Sequence, residues 1–226
     1  MQKLSTFSMI NFPALTRRGG DDNILDGSVW LQLSMKQQGH DYMNIDKTLY
    51  TGRPADKRID KEERCYALLD GLGIEYWRVD HDYADHIEDC HEVEKVLGCE
   101  ICKNLLLTNR QQTEIYLLLL PGDKPFKTKI LSKQIGTARL SFGTPEQMLE
   151  TLDITPGSVS VLGLMNDRDK RVHLLIDRDL LKEEYFGCHP CINSSSLKFR
   201  TSDLIERIIP AMQHTPEYVE LPWETE

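Results

Sequence analysis

Missing from this sequence is any apolar run near the roughly 20 residues that a membrane span requires. The longest, Ile115 to Leu120, is of strand length and is closed off by Glu114 and Pro121, so no membrane insertion is expected. The stretch Met1 to Leu15 carries Lys3 as its only charge and lacks an apolar segment of about 7–15 residues leading to a small-residue cleavage site. The expectation is a cytoplasmic protein. Basic residues are in the minority, 27 Lys and Arg against 36 Asp and Glu, for a formal net charge of −9. Repulsion from phosphates then opposes general nucleic-acid binding, DNA included, and any RNA contact needs a local basic patch. Internal repeats and low-complexity segments are absent as well. Six cysteines in 226 residues without a secretion signal read as reduced thiols and not as a disulfide framework.

What is present is the composition of an ordinary globular protein, 40% hydrophobic and 28% charged, long enough to bury a substantial core. Residues 1–48 are polar and irregular, with Arg17-Arg18-Gly19-Gly20-Asp21-Asp22 as a loop signal, and read as an N-terminal extension of unknown role. Residues 49–222 read as one domain, followed by a tail, 223–226.

Within the domain, Ile59, Tyr66, Leu68, Leu69 and Leu72 lie at helical spacing in a helix that Gly71 and Gly73 can end. Ile74 to Val79 reads as a strand, Glu88 to Leu97 as a helix stopped by Gly98, and Asn104 to Thr108 with Glu114 to Leu120 as a hairpin pair. A capping box, Thr144-Pro145-Glu146-Gln147, predicts a helix with Met148, Leu149 and Leu152 inward. Ser158 to Leu164 and Val172 to Asp177 read as a second hairpin around Asn166-Asp167. Ser196 to Arg200 reads as a strand, and a last helix begins near Thr201-Ser202-Asp203. Hairpins mixed with single helices predict an α/β protein of the α+β type, with a mixed, largely antiparallel sheet and packed helices.

Four features can carry chemistry: Lys103-Asn104-Leu105-Leu106-Leu107 opening a strand, the basic run Lys124 to Arg139, the loop Pro156-Gly157-Ser158-Val159-Ser160, and Cys188-His189-Pro190-Cys191-Ile192-Asn193. A strand-end lysine is ordinarily a solvated end, and it can also fix a positive charge at a pocket mouth. Pro-Gly-Ser is ordinarily a turn, and a glycine turn can also aim N–H groups at a developing oxyanion. His189 reads equally as a structural histidine or as a site residue. The basic run reads as a solvated helix face or as a phosphate contact.

Taken together and in this order, these segments resemble the YbaK and prolyl-tRNA-synthetase editing-domain family, nearest its free-standing members of the ProXp-ala and PrdX type. Cys102 to Leu107 resembles the lysine-bearing strand, and Ala138-Arg139-Leu140-Ser141-Phe142 the strand after the basic segment. Pro156 to Ser160 with Gly163-Leu164 and Asn166-Asp167 resembles the glycine loop. His189-Pro190 and Asn193, then Asp203-Leu204, resemble the closing motif. The resemblance covers about Leu49 to Leu221. It implies trans-editing: hydrolysis of the ester joining a small wrong amino acid, typically alanine, to proline tRNA, without a cofactor or metal. Lys103 would act electrostatically, since an ordinary lysine ammonium is a poor general base at neutral pH. Asn104, Gly157, Ser158, Ser160 and Asn193 would bind substrate, with His189 as a second catalytic residue. Lys124, Lys127, Lys129 and Lys133 would meet the tRNA acceptor end, and prolyl-tRNA synthetase is a further implied partner. One departure stands out: where the family's glycine loop commonly reads Gly-x-x-x-Pro, the residue four after Gly157 is Val161. That change is expected to loosen the loop or alter the pocket.

Two other readings compete with the enzyme. One is a non-catalytic module of the same fold that binds aminoacyl-tRNA or a synthetase. The other is a zinc-stabilised regulatory protein using Cys99, Cys102, Cys188 and Cys191. Residues 103–187 separate the two C-x-x-C pairs, against the roughly 15–20 of compact zinc ribbons.

Overall fold

A computed structural model of the protein describes residues 43–84 and 87–224. The strands form two sheets. The first has the order β1 (Tyr50–Thr51), β2 (Tyr76–Asp80), β8 (Ser195–Arg200), β7 (Tyr185–Cys188), all antiparallel. The second has the order β5 (Leu140–Phe142), β3 (Lys103–Asn109), β4 (Ile115–Leu120), β6 (Val172–Asp177), β9 (Pro216–Val219), with β5, β3 and β4 antiparallel and β4, β6 and β9 parallel. Helices α1 (Asp60–Gly71), α2 (Ile87–Leu97), α3 (Thr128–Gln134) and α4 (Pro145–Leu152) connect them, and α5 spans residues 201–211 with Leu204–Ile208 wound as a π turn. The expected mixed, largely antiparallel α/β architecture is present.

The alternation of side chains across a strand explains the layering. Strand β4 is buried along its whole length. Its Ile115, Leu117 and Leu119 join the main core with α1, α5 and the inward residues Tyr76, Phe186, Leu197 and Phe199 of the other sheet. Its Tyr116, Leu118 and Leu120 face the opposite way, onto Leu131 of α3, Leu140, Leu175 and Val219. A third cluster, Val79, Val93, Leu97 and Ile101, seats α2 on the outer side of the four-stranded sheet. Burying each such side chain contributes roughly 1.5–3 kcal/mol.

The two sheets are tied together where β3 begins. Ile101 bridges Gly187, and the Cys102 N–H donates to the Gly187 carbonyl at 3.0 Å. A Cβ on Gly187 would stand 2.4 Å from the Glu100 carbonyl oxygen, so only glycine permits this approach.

Several local readings hold and several do not. The capping box forms, with the Gln147 N–H donating to Thr144 Oγ1 and the Thr144 N–H to Gln147 Oε1. Gly98 ends α2 with φ +70°. Ile59 lies before α1, which starts at Asp60, and is nearly half exposed. Leu149 faces outward, 56% exposed, because the short α4 buries only the side holding Thr151 and Leu152. Ser158 to Leu164 is not a strand: it is a loop running into a 3₁₀ turn, Val161–Asn166. No hairpin surrounds Asn166-Asp167, since Val172–Asp177 takes parallel partners on both sides. Of the stretch read as an extension, residues 43–48 run beside the end of β2: Ile45 bridges His81 and the Asp46 N–H donates to the Asp80 carbonyl. Residues 1–42 lie outside the described residues.

The largest correction concerns Lys124, read as a tRNA contact. It is 1% exposed, its ammonium 2.8–2.9 Å from both Asp177 oxygens and 2.8 Å from Asp179 Oδ2. The Trp223 ring covers it at 5.2 Å. Burial of an unpaired ammonium is too costly to occur, and these two carboxylates make the buried position possible while removing Lys124 from any phosphate contact. Lys124→Ala leaves the Asp177 carboxylate buried without its cation and is expected to destabilise the fold by about 3–5 kcal/mol. Urea denaturation of the variant checks this, and a loss below about 1 kcal/mol would show that the pair carries little of the structure.

Candidate active site

Three of the four segments singled out in the sequence meet at one cavity of about 330 Å³, and the basic run Lys124 to Arg139 does not line it. Lys103 and Asn104 come from the start of β3, Pro156, Gly157 and Val159 from the glycine loop, and His189 from the loop after β7. Leu105, Leu106, Met148 and Phe142 supply apolar lining, while Glu94 and Asp123 supply carboxylates, with His91 Nε2 3.2 Å from Asp123 Oδ1.

Each group is positioned by identifiable bonds. Lys103 Nζ donates to the Lys124 carbonyl at 3.0 Å, so the turn pinned by the buried Lys124 ammonium also aims the half-buried Lys103. Asn104 Nδ2 donates to the Cys102 carbonyl at 3.1 Å, and its Oδ1 accepts from the Val161 N–H at 3.0 Å. Proline has no N–H to give, so Val161, in place of the family's proline, fastens the glycine loop to β3. A proline at this position could not make that bond.

Gly157 has φ +84°, and a Cβ there would lie 3.2 Å from Asn193 Nδ2. The left-handed conformation favours glycine, and a Cβ would crowd the Asn193 amide. Asn193 is buried and donates to the Ala84 carbonyl at 3.1 Å, joining the closing loop to the segment after β2. Ser158 and Ser160 are buried and do not line the cavity. The Ser158 N–H closes a turn onto the Thr155 carbonyl, and Ser160 Oγ accepts from the Leu162 N–H to cap the 3₁₀ turn. Both serines therefore shape the loop from behind. Among the lysines assigned to RNA, Lys127, Lys129 and Lys133 lie exposed on and before α3.

Behind His189 runs a hydrogen-bond chain that the sequence did not reveal. His189 Nδ1 lies 3.0 Å from the Ser195 carbonyl and 3.3 Å from Ser196 Oγ, and Ser196 Oγ lies 2.9 Å from His81 Nε2. His81 Nδ1 in turn contacts the Asp82 carbonyl at 2.7 Å. The carbonyls require protons on both Nδ1 atoms, so the hydroxyl of Ser196 donates to His81 and Nε2 of His189 is left as an acceptor. Burial pushes the His189 imidazole down to about 4, and also lowers His81. His189 is thus neutral at pH 7, suited to accept a hydrogen bond from water or an ammonium. Burial raises the Glu94 carboxyl, which the Ile101 N–H holds at 2.8 Å.

The thiols take another arrangement than a zinc centre. Cys191 Sγ lies 3.5 Å from Cys65 Sγ, in α1, and burial raises Cys99 to about 12 and Cys102 and Cys188 further above the usual thiol range. Among the described residues no three His, Cys, Asp or Glu side chains gather as a ligand set, and none of the helices is long and apolar enough to cross a membrane.

The sequence matches the family described as the aminoacyl-tRNA editing domain over residues 81–206. It is 30% identical over 163 residues to the prolyl-tRNA editing protein ProX of Acetoanaerobium sticklandii, covering 72% of this chain and 99% of that one. It is 28% identical over 165 residues to the prolyl-tRNA synthetase associated domain-containing protein 1 of Danio rerio, covering 72% and 86%. A solved structure described as a candidate trans-editing enzyme for prolyl tRNA synthetase superposes with a TM-score of 0.55 at 15% identity, covering 74% of this chain and 100% of that chain. At that identity the likeness establishes the fold.

A histidine whose folded-state proton affinity lies below the unfolded value of about 6.5 binds fewer protons in the folded chain. Stability contributed by neutral His189 is therefore complete above about pH 6.5 and is lost as the pH falls toward 4. His189→Asn is expected to flatten that part of the decline in unfolding free energy. An unchanged pH dependence in the folded variant would contradict a buried neutral imidazole.

Proposed function

Because the chain belongs to the aminoacyl-tRNA editing domain family, we propose that it is a trans-editing deacylase that hydrolyses the ester of mischarged tRNA, with alanyl-tRNA for proline as its preferred substrate. The observation that carries this reading is the convergence of Lys103, the Gly157 loop and His189 on a single cavity with apolar walls. An aminoacyl ester needs the parts assembled there. Leu105, Leu106, Met148 and Val159 offer an apolar surface for a small side chain. Glu94 and Asp123 offer negative charge to the α-ammonium.

Hydrolysis proceeds by attack of water on the ester carbonyl, which develops an oxyanion, followed by departure of the ribose oxygen. Lys103 stabilises the developing charge or holds the phosphate beside the terminal ribose, and the Gly157 loop presents backbone donors. With its imidazole pushed down to about 4, His189 is a weak base at neutral pH. Its Nε2 orients the water or the ammonium as an acceptor, and the substrate's own ribose hydroxyl completes the water's placement. The exposed Lys127, Lys129 and Lys133 contact acceptor-end phosphates, which makes binding fall with salt. Acting on released tRNA, the protein complements prolyl-tRNA synthetase.

Lys103→Ala removes a charge that contributes little to the core. It is expected to slow single-turnover deacylation by roughly 10²–10³, the loss typical of one preorganised electrostatic donor. Lys103→Arg is expected to rescue poorly, because the planar guanidinium is larger than the ammonium seated against the Lys124 carbonyl. Circular dichroism confirms folding, and wild-type rates in a folded Lys103→Ala protein would favour the non-catalytic binding module.

A further inference from the structure

The cavity's rim carries a large aromatic side chain with no role in the core. Phe142 lines the pocket yet is 60% exposed. It sits on the edge strand β5, opposite Leu107 in the ladder, and the next residue, Gly143, donates its N–H to the Leu106 carbonyl at 2.8 Å. A Cβ on Gly143 would stand 2.9 Å from Leu106 Cδ2, so the strand is pressed onto β3. The Phe126 ring meets Phe142 edge to face, with centroids 6.2 Å apart at 70°. The ring is therefore held in position while most of it stays open to solvent.

The surroundings are basic in a chain that is acidic overall. Residues 124–145 contain no Asp or Glu, and they hold the exposed Lys127, Lys129, Lys133 and Arg139. Lys127 follows Phe126 directly, and α3 packs beside β5: the Leu140 N–H donates to Ser132 Oγ at 3.1 Å. Lys103 lines the same cavity, together with the carboxylates Glu94 and Asp123. A fixed aromatic face next to cations is the arrangement that binds single-stranded nucleic acid, because every unpaired base offers a π face and its phosphates meet the cations.

We propose that Phe142 is a stacking platform for an unpaired nucleobase at the 3′ end of the RNA substrate, seated at the mouth of the cavity. This rests on the deacylase reading for the identity of the RNA, and it adds a subsite outside the chemistry. Paired bases hide their faces, so the platform selects a single-stranded end.

The test uses the full chain and a short single-stranded RNA carrying 2-aminopurine at its 3′ end, whose fluorescence is quenched on stacking. Wild type is expected to bind and quench the probe. Phe142→Leu, which keeps an apolar rim, is expected to weaken binding about 5- to 150-fold and abolish the quenching, while Phe142→Trp retains both. Wild-type affinity and quenching in Phe142→Leu overturn the platform. Deacylation of mischarged tRNA by the wild type, measured alongside, separates the two readings. Phe142-dependent stacking without turnover supports the platform and defeats the deacylase reading. Turnover with binding indifferent to Phe142 defeats the platform alone.

Discussion

One buried ammonium sets the geometry on which the cavity depends. Lys124 draws Asp177, at the end of β6, and Asp179 onto the turn after β4. Asp177 also accepts the Leu221 N–H, and Asp179 accepts from Trp223 Nε1. The parallel strands and the segment after β9 are thereby locked to the turn whose Lys124 carbonyl receives Lys103 Nζ. The lysine that looks like an RNA contact thus acts through the lysine that faces the cavity. Because the ion pair is desolvated on both sides, its geometry is all-or-none: either partner alone would be a buried charge.

The other two walls are joined by a similar economy of contacts. Asn104 reaches from β3 to the Val161 N–H at the end of the glycine loop, while Asn193 stands against Gly157 at its beginning and holds the Ala84 carbonyl. Ser196 connects the site histidine to His81. Strand start, glycine loop and closing loop are therefore coupled through side-chain amides and a hydroxyl, with little freedom for one to move alone. Preorganisation of this kind is what electrostatic catalysis requires, since dipoles already in place need no reorganisation as charge develops.

Much of this was legible where the signal is local. The capping box, the glycine stop after α2 and the apolar strand Ile115 to Leu120 follow from periodicity and backbone preference. The motifs of the cavity could be picked out because each is a short contiguous run. What escaped depends on distant partners. Lys124 sits in a polar stretch, and its two carboxylates lie 53 and 55 residues away. His81 meets Ser196 across 115 residues. Ser158 to Leu164 alternates like a strand, yet Gly163 presses against Ile154 and Leu152 so tightly that a Cβ would lie 2.5 Å from Ile154 Cδ1, which packs the segment as a 3₁₀ turn. Val161 looked like the loss of a proline, and only its hydrogen bond shows what the amide gains.

Single-turnover hydrolysis of a panel of mischarged tRNAs by the 226-residue chain tests the proposed reaction itself. Rapid release of alanine from proline tRNA is expected, with correctly charged prolyl-tRNA left intact. Rates no faster than spontaneous hydrolysis for every member of the panel would contradict it.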